Sequence, residues 1–440
     1  MFATVRSMRP FIFVRSIVVT TMLIAAISGC FPIAAPPDDG DSDGYNNTTD
    51  PDNNGAWHIG SSACGSCHQN LALSHQLHGH SHALNGIEGV APPYPAEGDR
   101  AGVPAPPDGF DWADIAYVVG GYTRNANFID LDGYLLTTGL ERVPTQWNQA
   151  FPPNGTTPGF ADYEPTAEAP IPYDYSCFQC HTTDARPQNE GFPTYQENRP
   201  GLIGAWHEAG VQCEACHGPG SNHVSNPSAR DLFVGNSADN CGKCHTRGAD
   251  PEKITANEGY ILNYSQYPEL RASGGHSEFA CVTCHDPHAG TNYDRENAIR
   301  NECAACHSDH NMAIHEGLTF VRGDYSEELS CVSCHMPFAT RSTTAATTDV
   351  VGGMGRMGDT RTHIFRINTE PVNYQAFFTS DGTDVTRNST GEAAVTMDFV
   401  CFRCHSGIGN AGVIDSLELA SGVASGMHSI TRPPGKQRGQ

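Results

Sequence analysis

The chain has 440 residues, 38% hydrophobic and 17% charged, with 49 acidic side chains against 25 basic ones and a formal charge of −24. A field of that sign repels nucleic acid and anionic head groups, so neither is an expected partner; it suits solubility as well as it suits a basic protein partner. Seventeen cysteines and 21 histidines are the departure from an ordinary globular composition.

Arg6, Arg9 and Arg15, with no acid among them, precede an apolar run from Ile17 to Ile27 and the small-residue sequence Ile27-Ser28-Gly29-Cys30. This pattern predicts a lipoprotein signal peptide over residues 1–29, with Cys30 taking the lipid. The apolar stretch falls short of the roughly 20 residues that a membrane span requires. Residues 30–56 contain Asp38, Asp39, Asp41, Asp43, Asp50 and Asp52 among Pro, Gly and Asn. They read as a flexible acidic tether with a mean reach of roughly 28 Å. No aspartate follows Cys30, which favours the outer membrane or cell surface, with the periplasmic face as the alternative. The mature chain would hold 22 basic against 49 acidic side chains, a charge of −27.

Residues 57–410 carry the decisive pattern. Cys-x-x-Cys-His occurs eight times, at Cys64/Cys67/His68, Cys177/Cys180/His181, Cys213/Cys216/His217, Cys241/Cys244/His245, Cys281/Cys284/His285, Cys303/Cys306/His307, Cys331/Cys334/His335 and Cys401/Cys404/His405, numbered motifs 1 to 8 below. A Cys-x-x-Cys pair alone reads as half a zinc site or a redox dithiol. A histidine directly after every pair reads instead as c-type haem attachment: two thioethers to one porphyrin and a proximal imidazole for its iron. Eight covalently attached haem c groups are therefore expected. Their macrocycles would fill the interior that aliphatic side chains otherwise supply, so the predicted fold is mainly α with much irregular chain, packed around haem.

The gap between motifs 1 and 2 predicts a short helix over Asp111–Gly120 and one small β-hairpin near 128–137, turning at Asp132-Gly133. Trp112, Tyr117, Tyr122, Phe128, Tyr134 and Trp147 are expected to pack over haem edges; a substrate pocket is the alternative use of so many rings. Residues 411–440 predict a helix from about Val413 and a tail that carries His428.

The segments Asp114–Tyr122, Trp206-His207-Glu208, Gly210–Gly220, His285-Asp286-Pro287-His288 and His335-Met336-Pro337 resemble the multihaem c-type cytochromes, the family that includes the tetrahaem electron acceptor of hydroxylamine oxidation. The resemblance implies a haem-packed electron carrier, here an octahaem lipoprotein, with most irons held between two histidines. Family-like positions for the second imidazole are His80, His207, His223, His276, His288, His315 and His363, with His428 as an eighth for the last haem. Methionine competes as a ligand, but Met336 is too close to its own proximal histidine, and Met354 and Met357 lie in a glycine-rich loop.

The expected function is electron transfer along a haem chain at the bacterial outer cell envelope, in anaerobic respiration or extracellular electron transfer, with other redox proteins or an external acceptor as partners and the membrane reached through Cys30. On this reading the protein is a carrier rather than an enzyme. One alternative is an octahaem reductase or oxidase of nitrite, hydroxylamine or tetrathionate with one open iron; another is a subunit of a conducting filament. The lysines available to mark an open haem are Lys243, Lys253 and Lys436, and Lys253, which follows the fourth motif, reads first as a solvated loop residue.

Overall fold

The computed structural model describes residues 47–98, 101–189, 194–228, 232–248, 250–342 and 351–429. The predicted signal peptide, Cys30 and Lys436 lie outside them. Among the described residues no helix is long and apolar enough to cross a membrane.

Where the sequence alternates or runs β-branched, the chain makes sheet. Strands β1 (Leu84–Gly86), β2 (Ile115–Gly120), β3 (Asn125–Asp130), β4 (Tyr134–Leu135), β5 (Gln146–Asn148), β6 (Gly159–Ala161) and β7 (Ile171–Pro172) form a seven-stranded antiparallel sheet. Its path is β1-β2-β3-β4-β7, with β5 paired to β3 and β6. The hairpin near 128–137 is the β3–β4 turn, with Ile129 opposite Leu135. Gly133 makes this turn at φ +92°, with Leu202 packed close against it. The single hairpin read from sequence thus understates the sheet around it.

The helix expected over Asp111–Gly120 is corrected. Asp111 caps only a 3-10 turn, Trp112–Asp114, by accepting a hydrogen bond from the Ala113 amide at 2.7 Å. Ile115, Ala116, Tyr117 and Val118 then run as a strand buried on both faces. Branched side chains at Ile115, Val118 and Val119 prefer the pleat, and two flanking strands satisfy the backbone. The rings expected over haem edges serve this sheet: Tyr117 packs edge-on to Trp206 at 5.7 Å, and Phe128 is fully buried with Ile115, Val118 and Leu136.

One face of the sheet places the second motif. Leu84, Tyr117, Ile129 and Leu135 pack with Tyr173, Phe178, Leu202 and Trp206, and Phe178 lies inside Cys177-Phe178-Gln179-Cys180. Strands β8 (Thr182–Thr183) and β9 (Glu208–Ala209) pair just after it. Further along, β10 (Ala256–Asn257) pairs with β11 (Tyr260–Leu262), β12 (Thr319–Arg322) with β13 (Tyr325–Glu328), and β14 (Thr340–Arg341) joins β11 in parallel. A second core around Ile254, Ile261, Ile364, Phe377, Val395 and Phe399 holds this part together.

Candidate haem-binding sites

Each motif is one turn of helix or 3-10 helix, because only a turn brings residues i, i+3 and i+4 to one face. The histidine amide bonds to the first cysteine's carbonyl at 2.9–3.0 Å in motifs 1, 4, 5, 6 and 8. Motif 2 differs, since the His181 amide donates to Phe178 one residue further on, at 3.0 Å.

The test of fit is what faces each motif imidazole. Two imidazoles on opposite sides of one iron, each with its nitrogen about 2.0 Å away, place their ring centres roughly 6.2 Å apart. Seven motif histidines have such a partner: His68 with His223 at 6.3 Å, His217 with His288 at 6.1 Å, His245 with His80 at 6.0 Å and His285 with His363 at 6.1 Å. The others are His307 with His276 at 5.8 Å, His335 with His428 at 5.9 Å and His405 with His315 at 6.0 Å. Every partner comes from outside the motif it faces, which ties distant segments together.

Ring orientation agrees. The Nδ1 of His217 lies 2.9 Å from the Phe233 carbonyl, that of His245 3.0 Å from Gln266 Oε1, that of His335 2.8 Å from the Phe365 carbonyl and that of His428 2.8 Å from the Asn311 carbonyl. An Nδ1–H donated backwards leaves Nε2 as the ligating atom and fixes the ring. Beneath His363 the fully buried Glu269 accepts from the Thr362 hydroxyl at 2.8 Å and the His363 amide at 2.5 Å, and burial pushes its carboxyl up to about 7. Burial also pushes His181 down to about 4 and His363 down to about 3, which keeps them neutral, the form a metal takes.

His181 stands apart. Its ring neighbours among the described residues are two tyrosines: Tyr173, whose hydroxyl meets His181 Nδ1 at 2.7 Å, and Tyr264, edge-on with ring centres 6.4 Å apart. Tyr264 takes φ +67°, a left-handed backbone that non-glycine residues seldom adopt and that clusters at functional sites. Packing pushes the Tyr264 hydroxyl up and the neighbouring Arg247 guanidinium opposes this, as it does at Tyr163. Nothing short-range in the sequence marks Tyr173, Tyr264 or Arg247 as neighbours of motif 2.

His207, a sequence-predicted ligand, meets no motif imidazole. Its ring lies 5.5 Å from that of His58, which reaches Asp184 at 3.4 Å. His428, in the 3-10 turn Met427–Ser429 beyond the helix Leu417–Ala424, faces motif 7 and not the last motif, whose histidine faces His315. Lys253 lies on the surface, 4.0 Å from Asp384.

The attachment cysteines differ in exposure, and Cys67 is the first case. It is exposed, in the turn between the helices Ser61–Gly65 and Gln69–Gln76, with the Ser66 hydroxyl 3.8 Å from its sulfur. The reason is local: neither of those helices buries a single residue, so the chain encloses Cys64 in part and leaves Cys67 on the outside. Cys216, Cys306 and Cys331 are exposed in the same way. A sulfur that is to bond a vinyl carbon needs an open side, and the exposure of Cys67 suits it to be the second thioether of motif 1.

Neighbouring cysteines give the order of the sites. Cys64 lies beside Cys213, Cys216 beside Cys241, Cys241 beside Cys281, Cys284 beside Cys306, Cys303 beside Cys331, and Cys334 beside Cys401 and Cys404. Motifs 1-3-4-5-6-7-8 are therefore neighbours in that order. Motif 2 joins the series through Cys180 against Cys244 of motif 4.

Such a set of cysteine pairs and backward-anchored imidazoles is what a protein with covalently held haem c requires. Comparison with known proteins agrees. The family model of cytochrome c554 and c-prime matches residues 161–218. The dissimilatory sulfite reductase MccA of Wolinella succinogenes is 25% identical over 242 residues, 44% of this chain and 33% of that protein, so the match spans a third of its length. The solved structure of that organism's octaheme sulfite reductase MccA aligns with a TM-score of 0.56 at 18% identity, over 87% of this chain and 73% of the other. The outer cell wall cytochrome OcwA aligns at 0.46 and 17% identity, over 83% of this chain and 86% of the other. These comparisons make the chain similar to multihaem c-type cytochromes.

Proposed function

We propose that the chain holds eight haem c groups, seven between paired histidines and one at motif 2 with His181 as its single imidazole, and that electrons gathered along the seven reduce a small oxyanion at the eighth. The observation that carries this reading is the absence of any imidazole facing His181, although all 21 histidines lie among the described residues. Haem supplies an iron that takes up and passes on one electron at a time. Tyr173 holds His181 Nδ1 and so directs Nε2 toward the ligating side. The Tyr264 hydroxyl offers a proton donor and Arg247 a positive charge beside it, a pairing suited to an anion. Sulfite is the first candidate, on the likeness to a dissimilatory sulfite reductase; nitrite, hydroxylamine and tetrathionate are the alternatives.

Low-temperature spin resonance of the oxidised holoprotein tests it. One high-spin signal in eight, shifting when sulfite or nitrite is added, is expected; eight low-spin irons indifferent to every addition would leave a pure carrier. The tether composition and Cys30 support a second element of the reading, an exported lipoprotein at the outer envelope that exchanges electrons with other redox proteins or an external acceptor. Labelling with palmitate should mark the wild type and not Cys30→Ala; label retained by the variant would remove the anchor.

A further inference from the structure

Motifs 7 and 8 meet at one end of the series, and guanidinium groups lie beside them, that of Arg403 fully buried and those of Arg322 and Arg361 partly so. Arg403, within motif 8 and 1% exposed, donates Nη1 to Glu327 Oε2 at 2.7 Å and Nη2 to Glu327 Oε1 at 3.1 Å. Its Nη2 also reaches the carbonyl of Ser333, within motif 7, at 2.8 Å, while its buried Nε has no partner. Arg361 donates to Glu327 Oε1 at 3.0 Å and to the Val332 and Met336 carbonyls at 2.9 Å each. Arg322 donates to the carbonyls of Arg403, at 3.0 Å, and Pro153, and sits over the rings of Phe320 and Tyr325. Among the described residues no carboxylate pairs with Arg322. Its charge and that of Arg403 are both felt at the Cys404 sulfur.

Against these three cations stand Glu327 and Asp398. Asp398, beside Cys401, is 5% exposed, with Oδ2 unpartnered and Arg356 as its own counter-charge. Among the side chains the balance is positive in a chain that is otherwise strongly acidic, and full burial of Arg403 with partial burial of the other two weakens its screening. Each electron added to an iron removes one positive charge there, so a fixed neighbouring cation favours the reduced state.

We propose that the Arg322, Arg361 and Arg403 cluster makes the sites of motifs 7 and 8 the most positive-potential end of the relay, where electrons settle. One electron moves per iron, no bond forms or breaks, and the guanidiniums keep their protons. The inference rests on the eight-haem reading above.

The test is a potentiometric titration of the holoprotein followed in its visible haem bands, with haem per chain counted in each preparation. Arg322→Met deletes a cation without opening an ion pair, and the most positive component should move negative while the others stay. Arg322→Lys should restore it, and Glu327→Gln, which removes a counter-charge, should move it the opposite way. An unmoved component in Arg322→Met, or an equal shift of all components, would overturn the proposal. A wild-type count below eight haems would instead overturn the attachment reading, whatever the potentials do.

Discussion

Replacing Glu327 by glutamine is the sharpest probe of how this end of the molecule is held. The carboxylate, 8% exposed, accepts from Arg403 twice, from Arg361 at 3.0 Å, from the Tyr325 hydroxyl at 2.6 Å and from the Ser333 hydroxyl at 2.7 Å. Glutamine keeps the shape but turns one acceptor into a donor and leaves two guanidiniums without their counter-charge. Breaking a buried pair this way costs about 3–5 kcal/mol. With an unfolding entropy of about 2.1 cal/mol/K per residue, a unit of this size loses roughly 4–6 °C in Tm. Burial alone would raise the Glu327 carboxyl, but Arg403, Arg361 and Tyr325 more than offset it and hold it well below the ordinary value of 4.5. A depressed carboxyl stabilises fully above its unfolded value and loses that contribution as pH falls towards the folded one. The Tm gap between wild type and variant should therefore be flat in neutral buffer and narrow in acid below that ordinary value. Thermal melts of both holoproteins across pH measure this. A neutral gap under about 1 °C, or one that widens on acidification, would refute the reasoning.

Gly133→Ala should cost about 2–3 kcal/mol, because φ +92° is unfavourable with a side chain and the new methyl would stand 2.6 Å from Leu202 Cγ and 2.7 Å from its amide; denaturant melts would register it, and an unchanged midpoint would contradict the turn. His288→Ala should convert one iron, that of motif 3, from low to high spin in the resonance spectrum, whereas His207→Ala should change no iron at all. Tyr173→Phe leaves His181 Nδ1 without its partner at a buried site, a loss of about 1–3 kcal/mol; proteolysis near motif 2 should speed up, and identical cleavage kinetics would count against the anchoring role.

The attachment motif is a local signal, five consecutive residues on one turn, and needs no tertiary contact to be read. How far each sulfur is enclosed was not legible, since Cys64 and Cys67 share a motif and differ in exposure through what packs around them. The second imidazoles were legible as candidates and not as pairs, since His80 meets His245 and His363 meets His285 across long stretches of chain. His207 misled because its neighbourhood resembles a family segment, while the β8–β9 pairing turns it toward His58. Asp111–Gly120 misled because the capping aspartate is real and the helix it announces is one turn long. Beyond it, branched residues between two partner strands outweigh the cap, a tertiary effect that no local window contains.

Motif 2 adjoins motif 4, in the middle of the series, and so branches from it. Under the eight-haem reading proposed above, charge from both arms would converge on motif 4, so a reaction that consumes several electrons would be fed in quick succession from a store already filled.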